Sequence, residues 1–160
     1  MKPIQRILNG TATILEWIVA MTFFALFAVT LLNIGLRNLG GVALLWIPGF
    51  IRLMFVWTVF LGIAAVFRRG DHLVVDVLLN RFVARAKTLV LTVIHLSLLP
   101  FFGVLFHFGL QVAEVRMRIP FDTWDFPTGW AYMAVPVSAV FLLVFTLERL
   151  VILWRGELTK

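Results

Sequence analysis

Four apolar runs, each long enough to cross about 30 Å of hydrocarbon, leave this chain of 160 residues few ways to fold. They cover about Ala12–Leu36, Val42–Phe67, Thr88–Val112 and Pro127–Trp154. The chain is 62% hydrophobic and 14% charged. A soluble domain is nearer one half and one quarter, so here the polar groups are too few to cover the apolar surface. The reading is an all-α integral membrane protein, one four-helix domain over residues 1–160. The first run exceeds the core of a signal peptide and no small-residue cleavage site follows it, so it reads as a retained signal-anchor helix.

Orientation follows from the cations between the runs. Lys2, Arg6, Arg68, Arg69, Arg81, Arg85, Lys87, Arg155 and Lys160 fall on one side; Arg37, Arg116 and Arg118 fall on the other. Nine against three predicts that both termini are cytoplasmic. Trp17 and Trp154 mark the inner interface, and Trp46, Trp124 and Trp130 the outer one. Only Trp57 lies well inside a span. The net charge of +6 is spread between apolar runs, not over a soluble basic face, so nucleic acid is not an expected partner. With no Cys, disulfides and thiolate metal sites are excluded.

The charged exit from the second run, Arg68-Arg69-Gly70-Asp71-His72 through Asp76, carries several candidates. Beyond it, Val74, Val77, Leu78 and Phe82 recur at helical spacing. They predict a short amphipathic surface helix over about Val74–Arg85, lying on phospholipid headgroups or packed on its own bundle. Gly70, His72 and Asp76 either hold this turn or contact another subunit. Arg52 lies near the outer boundary; it either snorkels, pairs with Glu114, Asp122 or Asp125, or meets another subunit. Glu16 and Arg149 match in depth and form a candidate ion pair. Alternatively, Glu16 is the proton-coupled carboxylate of a small four-helix exporter. His95 and His107 share one helix, which disfavours haem held by two imidazoles of one chain, although a haem or quinone anchor subunit stays an alternative. Gly62 with Ala64 and Ala65, and Ala134 with Ser138, allow close helix approach. Pro136 is expected to kink or loosen the fourth span. No spacing of carboxylates, His or hydroxyls makes a metal, catalytic or substrate-binding site, and no cofactor is expected.

Several motifs in order resemble one family. They are Asn33-Ile34-Gly35-Leu36-Arg37, Trp46-Ile47-Pro48, then Arg52 through Trp57 to Leu61-Gly62. The hinge Gly70 to Asp76 follows, then Pro127, Trp130, Tyr132 and Pro136. The set resembles the small membrane subunit of tripartite ATP-independent periplasmic (TRAP) transporters. Family members often carry a Glu before the second-helix Arg; here that region reads Pro48-Gly49-Phe50-Ile51. The resemblance implies an accessory permease subunit in the bacterial inner membrane, without enzymatic activity. It implies a large polytopic membrane subunit that holds the substrate and sodium sites. It also implies a periplasmic substrate-binding protein and symport of organic acids. Arg52, Trp57, Gly62, Gly70, His72, Asp76, Trp130 and Pro136 are then interface or structural candidates.

Overall fold

The computed structural model describes residues 2–39, 41, 44–70 and 84–154. Helix α1 runs Lys2–Leu39, α2 Ile47–Gly70, and α3 Ala84–Arg116. A two-stranded hairpin follows, β1 Pro120–Phe121 and β2 Trp124–Pro127, then α4 Gly129–Tyr132 and α5 Ala134–Trp154. Four helical segments are long and apolar enough to cross a membrane: Gln5–Leu39, Ile47–Arg69, Thr88–Arg116 and Gly129–Trp154.

Hydropathy and helix length part company in α1. Its 38 residues span about 57 Å, nearly twice the hydrocarbon thickness. Helix formation needs no apolar run, and Gln5, Arg6 and Asn9 propagate a helix in water. Pro3 sits in the first turn, where its missing amide costs nothing. The chain leaves α1 through Gly41, whose φ of 62° lies in the left-handed region that glycine enters freely.

Helix α1 packs chiefly on α2, α2 on α5, and α5 on α3. The core runs from mid-height toward the Arg68 end of α2 and joins Leu15, Leu61, Ala64, Ala65, Phe102, Leu142 and Phe145. Ala64 and Ala65 are buried and bring α2 close to its neighbours. Ala134 and Ser138 are fully buried on α5. Opposite them, Gly109 of α3 lies so near Pro136 and Val135 that a Cβ there would come within 3.1 Å of both.

The fourth span divides at Met133 into α4 and α5. Pro136 has no amide to close on the carbonyl of Tyr132, which accounts for the interruption. A second proline, Pro100, lies inside α3. The expected surface helix falls mostly outside the described residues, as do Asp71, His72 and Asp76. Its last two residues, Ala84 and Arg85, belong to α3.

Candidate functional site

Polar chemistry collects at the two ends of the bundle. At one end, Arg68 of α2 is buried and reaches Glu148 of α5. Arg68 Nη2 donates to Glu148 Oε1 at 3.0 Å, and Nη1 lies 2.8 Å from Oε2 in ion-pair contact, off the line of a hydrogen bond. Nη2 also donates to Asn9 Oδ1 of α1 at 2.9 Å. The guanidinium carbon stands 5.8 Å from the centre of the Phe145 ring. Both charged side chains keep only 7% of their surface exposed. One fork of donors therefore ties α1, α2 and α5 together where an unpaired charge would be costly.

A second pair, Arg69 with Glu16, joins α2 to α1 at the same end. This corrects the expected Glu16–Arg149 contact. Glu16 and Arg149 do match in depth, but α1 packs on α2, and the nearest cation to Glu16 is on that helix. Arg68 and Arg69 are likewise helical residues of the last turn of α2, not loop cations. Asn9, Ala12, Thr13, Arg68 and Arg69 line a polar cleft of about 300 Å³ between α1 and α2.

The other end is capped by the hairpin. Pro120 pairs with Pro127 and Phe121 with Trp124. A run of rings braces it: Trp46 meets Phe50 edge-on at 6.0 Å, and Phe50 meets Trp124 at 6.5 Å. Trp124 stacks on Phe126 at 4.5 Å, and Phe126 on Trp130 at 6.4 Å. Thr128 fastens this cap to the end of α3. Its amide donates to the Ile119 carbonyl at 2.8 Å, and its hydroxyl lies 2.9 Å from the Ile119 carbonyl and 3.1 Å from that of Arg116. Beside it, Gly129 packs directly on the backbone of Ala113 and Met117.

Under the hairpin a cavity of about 340 Å³ opens between α2, the end of α3 and the fourth span. Arg52, Arg116 and Asp122 stand around it, with Val56, Phe60 and Val135 among its apolar lining. The Arg116 guanidinium lies 5.3 Å from the centre of the Tyr132 ring. Arg52 forms no ion pair with Glu114, Asp122 or Asp125, which corrects one of the three readings of that residue. Asp122 lines the same cavity as Arg52 without coming within ion-pair reach, while Glu114 and Asp125 are exposed.

Trp57 and Trp130, far apart in sequence, meet here: the Trp57 indole Nε1 donates to the Trp130 carbonyl at 2.9 Å. Trp57→Phe keeps an aromatic side chain, smaller than the indole, and loses this bond. The expected cost is at least about 1 kcal/mol, read as a lower melting temperature of the purified protein. An unchanged melting temperature would contradict the assignment.

Gly62 has room to spare, because an added Cβ would meet only Val19 Cγ1 at 3.6 Å. The close approach belongs to Ala64 and Ala65 instead. Gly62→Ala is expected to be neutral or slightly stabilising, within about 1 kcal/mol of wild type in thermal unfolding. A drop of several degrees would restore Gly62 as a contact residue.

His95 is buried and donates from Nδ1 to the Leu91 carbonyl at 2.8 Å, a packing role within its own helix. Sequence reasoning missed Glu148, Thr128 and Gly129. Glu148 was visible in principle as an acid beside Arg149 in an apolar span, facing Arg68 in depth. Among the described residues no group of three or more His, Asp or Glu is placed to hold a metal ion.

Comparison with known proteins adds to this geometry. The family model for "Tripartite ATP-independent periplasmic transporters, DctQ component" matches residues 26–156. The chain is 25% identical over 150 residues to the sialic acid TRAP transporter small permease protein SiaQ of Vibrio cholerae, covering 94% of this chain and 85% of that one. It is also 25% identical over 129 residues to the sialic acid TRAP transporter permease protein SiaT of Haemophilus influenzae. That match covers 80% of this chain but spans only 21% of the longer relative.

Proposed function

This chain belongs to the DctQ-component family of tripartite ATP-independent periplasmic (TRAP) transporters, and we propose that it is the scaffold of a sodium-driven uptake system for organic acids. It is a small permease subunit and a multi-pass protein of the inner membrane. Membership of the family implies a large permease partner in the same system. In our reading that partner holds the substrate and sodium sites and does the moving. This chain widens and anchors its stationary part. A periplasmic binding protein delivers the substrate.

The observation that carries the reading is the middle of the bundle. Mid-height is filled by Phe102, Leu61 and Leu142, and the hydroxyls buried nearby, Thr58, Ser138 and Thr146, each donate to their own helix. Both ion pairs sit toward one end, beyond Phe145. A transport site needs polar groups near the midplane, commonly where helices are broken around a cavity. Here the charges brace helices against each other. The Haemophilus influenzae relative supports partnership, because a segment like this chain forms about a fifth of one longer permease chain. The exporter reading loses support, since the Glu16 carboxylate is engaged by Arg69.

We place the Arg68 end in the cytoplasm and the hairpin outside, following the excess of cations. The ring-braced hairpin, with Asp122, Asp125 and Arg118 exposed around it, then offers the binding protein a firm docking surface. Which acid is carried is set by the other subunits; the sialic acid of the relatives' names is one organic acid of the proposed class. Liposomes test the reading. Under an inward sodium gradient, this chain with its large subunit and binding protein is expected to accumulate the acid, and this chain alone to accumulate none. Uptake by this chain alone would overturn it.

A further inference from the structure

Three of the four outward helix faces are what a lipid-facing surface requires. On α1 they present Trp17, Met21, Phe24 and Leu31, and the hydroxyls of Thr13, Thr22 and Thr30 each donate to their own helix, at Asn9, Ile18 and Leu26. On α2 they present Phe55, Val59, Ile63 and Val66, with the exposed Arg52 in the second turn of the same face, close enough to the helix end to snorkel, and on α5 Val140, Val144, Leu147 and Val151.

Helix α3 differs. His107 and Gln111 are exposed on the side opposite its buried residues His95, Phe102 and Ala113. The Gln111 amide Nε2 lies 3.2 Å from His107 Nε2 and donates to it. In the neutral ring this leaves the proton on Nδ1, and the ring makes no other hydrogen bond among the described residues. The span is Thr88–Arg116, so its middle is near Phe102. His107 lies about 8 Å from that middle, inside a hydrocarbon half-thickness of about 15 Å. Glu114 continues the same face toward the hairpin end. On the other side of the middle, Pro100 removes the amide that would close on the Leu96 carbonyl, and both residues lie on the exposed side.

A donor, an acceptor and an interrupted helix ladder on one face are poorly served by acyl chains, which offer no hydrogen bonds. Another helix can serve them. We propose that the His107–Gln111–Glu114 face of α3 is the seam against the large membrane subunit, met there by a helix bearing hydrogen-bonding side chains. The α1 face of Trp17, Met21 and Phe24 is left to lipid. This rests on the small-subunit reading above, and the occupant follows from it: the partner the family implies is a large membrane protein, and a relative joins such a segment to a longer permease chain.

Benzoylphenylalanine placed at 107, 111 or 24, one at a time, tests the seam by photo-crosslinking in membranes co-expressing both subunits. Adducts with the large subunit are expected from 107 and 111 and not from 24. The double substitution His107→Leu with Gln111→Leu is expected to lower recovery of the large subunit about tenfold, with the mutant chain itself inserted and monodisperse. Adducts from 24 alone, adducts from 107 to a second copy of this chain, or undiminished recovery in the double mutant would each overturn the seam while leaving the subunit reading intact. If the large subunit is not recovered even with the wild-type chain, both fall.

Discussion

Gly129→Ala is expected to leave little folded protein. A Cβ there would stand 2.7 Å from the Ala113 carbonyl oxygen, 2.7 Å from the Met117 amide nitrogen and 2.8 Å from Met117 Cγ. Two of these atoms are backbone, so no rotamer change relieves the clash. The end of α3 and the start of the fourth span must separate. That movement also strains the Thr128 bonds to Ile119 and Arg116. Overpacking commonly costs about 1–3 kcal/mol, and a backbone clash on both sides belongs at or above the top of that range. Fluorescence-detected size exclusion of a tagged variant checks it: the monodisperse peak should fall severalfold. Gly62→Ala is the matched control, with the same chemistry and open space. Equal yields for the two variants would contradict the packing described.

The second large effect is at Arg68 and Glu148. Truncating either one to Ala leaves the other charge buried without its partner, at a cost of about 3–5 kcal/mol. Replacing both, as Arg68→Met with Glu148→Leu, removes the charges together and should recover most of the loss, since a buried pair is often worth no more than an apolar pair of similar volume. The melting temperatures of the two single variants and the double variant in detergent decide it. Singles well below wild type with a recovered double are expected. A double as poor as the sum of the singles would show that the two residues do not act as a pair. The Arg69–Glu16 pair should behave differently. Arg69 is 63% exposed, so truncating it should cost less than about 1 kcal/mol.

The four spans were legible because bilayer thickness writes itself into the length of an apolar run. The tryptophans at span ends were legible for the same reason, and Trp17, Trp46, Trp130 and Trp154 remain exposed at those ends. Helix neighbours were not legible. Depth along a span is read by counting residues, but which helices touch depends on packing between distant segments. Glu16 therefore matched Arg149 in depth while lying beside Arg69. Arg68 was hidden by its position: a cation at the end of an apolar run reads as the start of a loop, and only the placement of α5 shows it buried against Glu148. The hairpin was hidden by its brevity, since β1 has two residues and β2 four, too few for alternation to register. The polar face of α3 was half legible. His107 stood out as a titratable group in a span, but its direction required the buried stripe on the other side of the helix.

On the proposed function, this chain is one part of a two-part membrane permease and moves nothing alone. The most direct test is the particle obtained when a tag on this chain is used to purify it from membranes co-expressing the large subunit. One stable particle containing both proteins is expected through size exclusion, with the mass of a heteromeric complex. Particles containing only copies of this chain, with the large subunit running separately, would contradict it.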